Sequence, residues 1–459
     1  MQSKTISKYP LDMISIAHKI ELMPNNKQKT YLRKAIGCAR LAYNWGRTEW
    51  ERRYKEGEKG IKARNLRKEF NAIKQEQFPF VKEVTKWATD GAFEDLQSAY
   101  NNFFNHQASY PNFHRKHDGS GSFYMGGCDV ILSETNRSLK HLKSVEHNIK
   151  GKHQYLSFPH LGFVKMAEHL RFNGHINHVR ISQAGNRFYA SFSMVITEEE
   201  YFRTHPNATI DKKKRMVGID MGIHNAIVLS DGIKIEDPKP LKKKLRKQQR
   251  LSRQLSKRQH ARTKQERLQG VKKSNNYKKL SIRLGNLDRQ IANIRRDFSQ
   301  KLTTILTTHY AEIAIEDLNV KGMTKNHRLA RSVSDVAMGE LRRQIEYKAK
   351  LNSVSITKAD RFYPSSKTCS KCGAIKKDLA LKERIYVCPN CGIVIDRDYN
   401  ASLNLLSLIN KIGMDGPEFT PADLTALLSR FIENRIATSK IETGKQHKSF
   451  VPHVRASVL

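Results

Sequence analysis

The chain has 459 residues, room for two to four domains of ordinary size. Lys and Arg number 83 against 44 Asp and Glu, giving a formal net charge of +39, while hydrophobic residues make up 38%. Such a charge repels itself and calls for a polyanion, nucleic acid first and an anionic membrane surface second; no run of about 18 apolar residues is present to span a membrane.

The polar N-terminus and the short apolar stretch 13–16 do not make a signal peptide, so a cytosolic protein is expected. Residues 1–16 read as an extension. Residues 17–23 read as a strand closed by Pro24. Leu32, Ile36, Ala39 and Tyr43 then recur every three or four residues, one apolar helix face that Trp45 and Trp50 extend. With further helix over 62–104, residues 17–107 form a strand and a helical recognition module. Tyr110, Pro111, Phe113, His114, Arg115 and Lys116 interleave aromatic and basic groups in a loop. Tyr110, Phe113, Arg115 and Lys116 are its candidate nucleic-acid contacts. Val179, Ile181, Phe188, Ala190 and Phe192 alternate around Gly185-Asn186, the pattern of a hairpin, and a small β-barrel is expected over 108–210.

A second unit starts near Met216. Val217–Asp220 and Ala226–Leu229 read as strands, and Asp231-Gly232 turns into a third. Residues 241–300 carry 20 Lys/Arg against 3 Asp/Glu. Leu280, Leu284, Leu287, Ile291, Ile294, Phe298, Leu302 and Ile305 step by threes and fours there, a long amphipathic helix paired with 239–269 in a hairpin. A solvated helix pair without a partner is the plainer reading. The basic excess favours phosphate contact, with Lys242, Lys243, Lys244, Arg246 and Lys247 as candidates. Glu312–Glu316 is a further strand, a helix runs to about Lys350, and Val354–Lys358 is a strand. A helix starts near Asp398, and 413–459 reads as a tail.

Cys369-x2-Cys372 and Cys388-x2-Cys391 are separated by fifteen residues, and each pair is followed by glycine (Gly373, Gly392). Two intervening residues let both sulfurs of a pair reach one tetrahedral ion, and glycine allows the left-handed turn of a knuckle. One structural Zn2+ is expected, with no open position for water. Cys38 and Cys128 stand alone and read as core residues.

Three carboxylates sit at element edges: Asp220 and Glu316 close strands, and Asp398 opens a helix just past the cysteines. Singly, each is more often a turn or cap residue. Together, at the rim of an open α/β sheet, they can hold two Mg2+ ions about 3.5–4 Å apart for phosphodiester cleavage.

The segments GIDMGIHNAIVLSDG (218–232), IAIEDLNVKGM (313–323), RFYPSSKTCSKCG (361–373) and YVCPNCGIVIDRDYNASLNLL (386–406) resemble the TnpB/OrfB family of bacterial insertion sequences. So do KIELMPNNKQ…CARLAYNW (19–45) and FPHLGFVKM (158–166), and the resemblance covers roughly 17–412. It implies an RNA-guided DNA endonuclease, related to type V CRISPR effectors, with guide RNA and double-stranded DNA as partners. The implied fold is α/β plus a β-barrel. An RNase H-like (RuvC-like) nuclease domain, 211–368 and 393–412, is split by a zinc finger at 369–392 and preceded by a wedge-like barrel with a helical insert. The family's catalytic acids fall on Asp220, Glu316 and Asp398, with Asn400 orienting the carboxylate. Asp396 is the alternative third acid; the Asp-x-Asn-Ala pattern at 398–401 favours Asp398. A guided binder that does not cut and a strand-transferring transposase stay open, and the presence of all three carboxylates favours cutting.

Overall fold

A computed structural model describes residues 13–115, 120–126, 132–133, 154–205, 215–258, 274–380 and 383–410. Lys116, Cys128, the 259–269 arm of the expected basic hairpin and the 413–459 tail lie outside the described residues. The chain divides into one unit of residues 1–205 with 274–286 and another of 206–273 with 287–459.

In the first unit, β1 (Met13–Leu22) starts four residues earlier than the sequence suggested. It pairs antiparallel with β7 (Arg187–Thr197), from Met13 opposite Thr197 to Leu22 opposite Phe188, so residues 13–16 belong to the sheet. Asn25 then starts α1 (Asn26–Lys55) through a capping box. Its side chain accepts from Gln28 N at 2.9 Å while Gln28 Oε1 accepts from Asn25 N at 3.0 Å, satisfying two otherwise orphaned donors. Leu32, Ile36, Ala39, Tyr43 and Trp50 are buried, the face their spacing predicts. The expected helix over 62–104 is interrupted at Pro79, giving α2 (Ala63–Gln77) and α3 (Trp87–Phe104).

The strands that follow are β2 (Ser120–Gly126), β3 (Leu132–Ser133), β4 (Tyr155–Phe158), β5 (Gly162–Lys165), β6 (His175–Ala184) and β7 (Arg187–Thr197), before α4 (Glu198–Thr204). They form a four-stranded sheet in the order β1-β7-β6-β2 and a three-stranded sheet β3-β4-β5. No closed barrel is found among the described residues. The outer edge of β1 is met at its end by β5 and the residue after it: Leu22 bridges Met166, and Met23 N donates to Lys165 O at 2.8 Å.

The second unit is α/β. Its elements are β8 (Met216–Asp220), β9 (Asn225–Leu229), β10 (Lys234–Glu236), α5 (Pro240–Lys257), the later turns of α6 (Asn275–His309), β11 (Glu312–Ile315), α7 (Val320–Met323), α8 (Ala330–Val336), α9 (Met338–Leu351), β12 (Ser355–Lys358), β13 (Ile385–Val387), β14 (Val394–Asp396) and α10 (Arg397–Asn410). A five-stranded sheet runs β10-β9-β8-β11-β12. β8, β11 and β12 are parallel, while β9 pairs antiparallel with both β8 and β10. Alternation gives each strand two faces. Val217, Ile219, Ile313 and Ile315 pack with Leu302, Ile305 and Leu306 of α6 and with Leu341 and Ile345 of α9. On the other face, Ala314 packs with Leu405 and Ile409 of α10. No helix among the described residues is long and apolar enough to cross a membrane.

A candidate acidic centre beside a four-cysteine cluster

Gly218-Ile219-Asp220 and Ala314-Ile315-Glu316 repeat one pattern: small, apolar, acidic. Their register matches it, with Ala314 opposite Gly218 and Ile315 opposite Ile219 in parallel strands. The small residues therefore share the face under α10, and the two acids follow on that face at the carboxyl end of the central strands. Gly218 lets α10 come close: a Cβ there would stand 2.0 Å from Ser402 O and 2.5 Å from Leu406 N, inside the helix backbone. Resting on the sheet in this way, α10 brings Asp398 of its first turn to the same rim.

The three carboxylates sense one another. Burial pushes the Asp220 carboxyl well above the usual carboxylate range, the charges of Glu316, Asp398 and, least, Asp396 push it further, and Arg397 opposes them. Glu316 is raised by burial and by Asp398, against the lowering effect of a hydrogen bond from the Ser365 hydroxyl. Asp398 is met by Arg397 at 3.2 Å and Arg384 at 3.5 Å. Its neighbour Asp396 has other work. One oxygen accepts from Asp398 N (3.1 Å) and Tyr399 N (3.0 Å), capping α10, and the other pairs with Lys234 Nζ at 2.7 Å.

Asn400 does not orient a carboxylate as expected. It is fully buried, accepts from Ser370 N at 3.0 Å and donates to Thr368 O at 2.7 Å. One turn on, Asn404 donates to Ser365 O (2.7 Å) and Thr368 O (2.6 Å). The two asparagines clamp residues 365–370 to the helix that carries Asp398. That segment holds both Ser365, the donor to Glu316, and Cys369. Ser365 and Asn404 went unread in the sequence, although serine ahead of the first cysteine and asparagines four apart were visible.

Cys369, Cys372, Cys388 and Cys391 bring their sulfurs within 4.8 Å of one another. The closest pairs, Cys369–Cys391 and Cys372–Cys388, are 3.6 Å apart. A disulfide needs about 2.05 Å, whereas four sulfurs each about 2.3 Å from one tetrahedral ion stand about 3.8 Å apart. The cluster can hold a metal ion. Gly373 and Gly392 take φ of 73° and 69°, the left-handed turns that close the knuckles. Backbone N–H groups of Cys391 and Asn390 point at the Cys388 sulfur and lower its pKa to about 6.

The basic candidates on α5 are placed by a residue the sequence did not advertise. α5 begins with Pro240 and has no side-chain cap of its own. Buried Asp335 supplies one from α8, accepting from Leu241 N (3.0 Å) and Lys242 N (2.9 Å) and pairing with Arg295 at 2.9 Å. Lys242, Lys243, Arg246 and Lys247 are exposed, and Lys244 donates to Gln290 at 3.1 Å. In the first unit Tyr110 and Phe113 serve the fold as well as the surface. Tyr110 meets Tyr100 through their hydroxyls at 3.3 Å, and the Arg47 guanidinium lies 3.7 Å from the Phe113 ring centre. Even so, 40% of Tyr110 and 47% of Phe113 stay exposed. Arg115 and Phe113 line a cavity of about 400 Å³ with Arg40, Tyr43 and Asp95.

Several families and proteins of known sequence match this chain. Three family descriptions match in succession: "Helix-turn-helix domain" of OrfB over 13–59, "Probable transposase" of OrfB over 197–327, and "Cas12f1-like, TNB domain" over 339–405. A Streptomyces pristinaespiralis protein named "Putative RNA-guided DNA endonuclease" is 28% identical over 402 residues, covering 86% of this chain and 90% of its own. InsQ of Escherichia coli (strain K12), which carries the same description, is 28% identical over 410 residues, covering 85% and 91%. Among solved structures, a Cas12f1 complex with guide RNA and target DNA aligns over 86% of this chain and 99% of its own, at 13% identity and a TM-score of 0.47. The chain is a relative of the TnpB/OrfB proteins and of the Cas12 proteins.

Proposed function

We propose that the chain is a metal-dependent, RNA-guided DNA endonuclease whose cutting centre is Asp220, Glu316 and Asp398. The observation that carries this reading is the convergence of three carboxylates from three elements, buried enough to raise the pKa of two of them. Folding alone gains nothing from buried like charges, and such clusters are a mark of functional sites. The donor set is all oxygen, which suits a hard divalent cation such as Mg2+ rather than zinc. Two Mg2+ ions bound there would supply an activated water and a stabilised leaving oxygen. The chain's own part is placement. Asp220 stands at the end of the central strand of the sheet. The Ser365 hydroxyl fixes one oxygen of Glu316, and Arg397 and Arg384 orient Asp398.

The strand order of the five-stranded sheet, with its parallel centre and antiparallel flank, supports an RNase H-like nuclease domain over 211–368 and 393–412. The four thiols fit one structural Zn2+, which would brace residues 365–370 and through them Ser365. Guide RNA and double-stranded DNA are the proposed partners; the names of the relatives describe RNA-guided DNA endonucleases. The exposed cations of α5 would meet phosphates.

To test the reading, the chain is purified with its bound RNA and the RNA is sequenced. DNA carrying the matching sequence is then supplied with Mg2+ or with a chelator. Cuts are expected only with matched DNA and Mg2+. Bound but intact DNA would make the protein a guided binder, and joined rather than free ends would make it a strand-transferring transposase.

A further inference from the structure

Between β12 and the first cysteine lies an aromatic side chain that no role above uses. Phe362 is 87% exposed, the highest value for any large apolar side chain among the described residues. Exposure of one apolar residue is ordinary; its mounting is not. The loop is tied at both feet to the strand end that delivers Glu316. Ala359 N donates to Ile315 O at 2.9 Å, and the Ser365 hydroxyl donates to Glu316 itself. Between the feet, Asp360 accepts from Phe362 N (2.9 Å) and Tyr363 N (3.0 Å), and Tyr363 Oη donates to Asn404 O at 3.3 Å. Asp317, the residue after Glu316, grips the Arg361 guanidinium at 2.6 Å. The ring therefore stands on a fixed loop, three residues from Ser365, a span of at most about 11 Å.

We propose that Phe362 is a stacking platform for one unpaired base of the DNA strand led to the carboxylates. The proposal rests on reading Asp220, Glu316 and Asp398 as the cutting centre. An aromatic face accepts any base, which suits an enzyme whose sequence choice lies elsewhere, and only an unpaired base offers a free face. With so short a span of backbone, the stacked base lies only a few nucleotides from a phosphate at Glu316.

The test uses the RNA-loaded chain without Mg2+, so that binding is read apart from cutting. The probes are single-stranded DNA carrying 5-iododeoxyuridine for photo-crosslinking, and the same strand with an abasic site moved along it. The parent should crosslink at Phe362 and lose about tenfold in affinity when one particular base is removed. F362A and F362L should lose about tenfold with intact DNA and become indifferent to that abasic site, whereas F362W should keep the affinity of the parent. F362A matching the parent at every abasic position overturns the assignment and leaves the ring to a protein partner. F362L matching F362W also overturns it, since a merely apolar contact would then suffice. The cutting-centre reading fails separately, if the parent keeps this binding pattern but leaves matched DNA uncut in Mg2+.

Discussion

At the scale of single residues, the centre is a cost that a ligand would offset. Asp220 and Glu316 are raised above their ordinary values chiefly by burial, so the folded chain holds their protons more tightly than the unfolded one. Without metal, their unfavourable effect is absent below the ordinary carboxylate range, grows as pH rises through the window up to the raised folded values, and is complete above it. Replacing Asp220 by Asn removes the charge and keeps the shape. In chelator at neutral pH, D220N should unfold at a higher temperature than the parent, by on the order of 3 °C, and the difference should shrink as pH falls and vanish only well below the ordinary carboxylate range. Mg2+ should raise the melting temperature of the parent and not that of D220N. A parent that is more stable than D220N in chelator would show that these acids are stabilising, and would remove the argument that they await a cation.

At the scale of elements, the site depends on how closely α10 lies on β8. Gly218 has no Cβ to spare: G218A drives a methyl group into the helix backbone at Ser402 and Leu406. The expected cost is about 2–3 kcal/mol or more, as for overpacking without an escape route. Cutting should fall with it, because the helix that carries Asp398 must move. Zinc content should hold, since the cysteines do not touch this contact. Full stability and activity in G218A, read by denaturant unfolding and cleavage, would contradict the packing argument. The sequence made much of this legible. The paired cysteines are a local pattern, and the acids at 220 and 316 close apolar runs, which is where a sheet puts its rim. Whether the expected barrel closes was not legible, because alternation fixes the face of a strand and says nothing of which edge meets which. The roles of Asn400, Asn404, Ser365 and Asp335 were hidden for a related reason. Each bonds a partner tens of residues away, and only the folded register supplies the partner. Asp396 and Asp398 look alike in sequence, and helix geometry separates them: the first lies just before the helix and caps it.

At the scale of the whole molecule, a net charge of +39 makes binding a contest with salt. Each Lys or Arg that neutralises a phosphate releases a counterion, so log affinity falls with log salt by about 0.9 per contact on duplex DNA. Replacing Lys242, Lys243, Arg246 and Lys247 with Ala should reduce that slope by about 3 to 4. An unchanged slope places the phosphate contacts elsewhere. The same separation between basic surface and acidic centre frames the decisive measurement. Guided DNA cleavage in Mg2+ is followed beside DNA binding on the same preparations of the parent, D220A, E316A, D398A and D396N. The account predicts that the three alanine variants bind RNA and target as the parent does and do not cut. D396N, which keeps an oxygen for the helix cap, should retain substantial cutting. Cleavage by any of D220A, E316A or D398A at the rate of the parent would contradict the central claim.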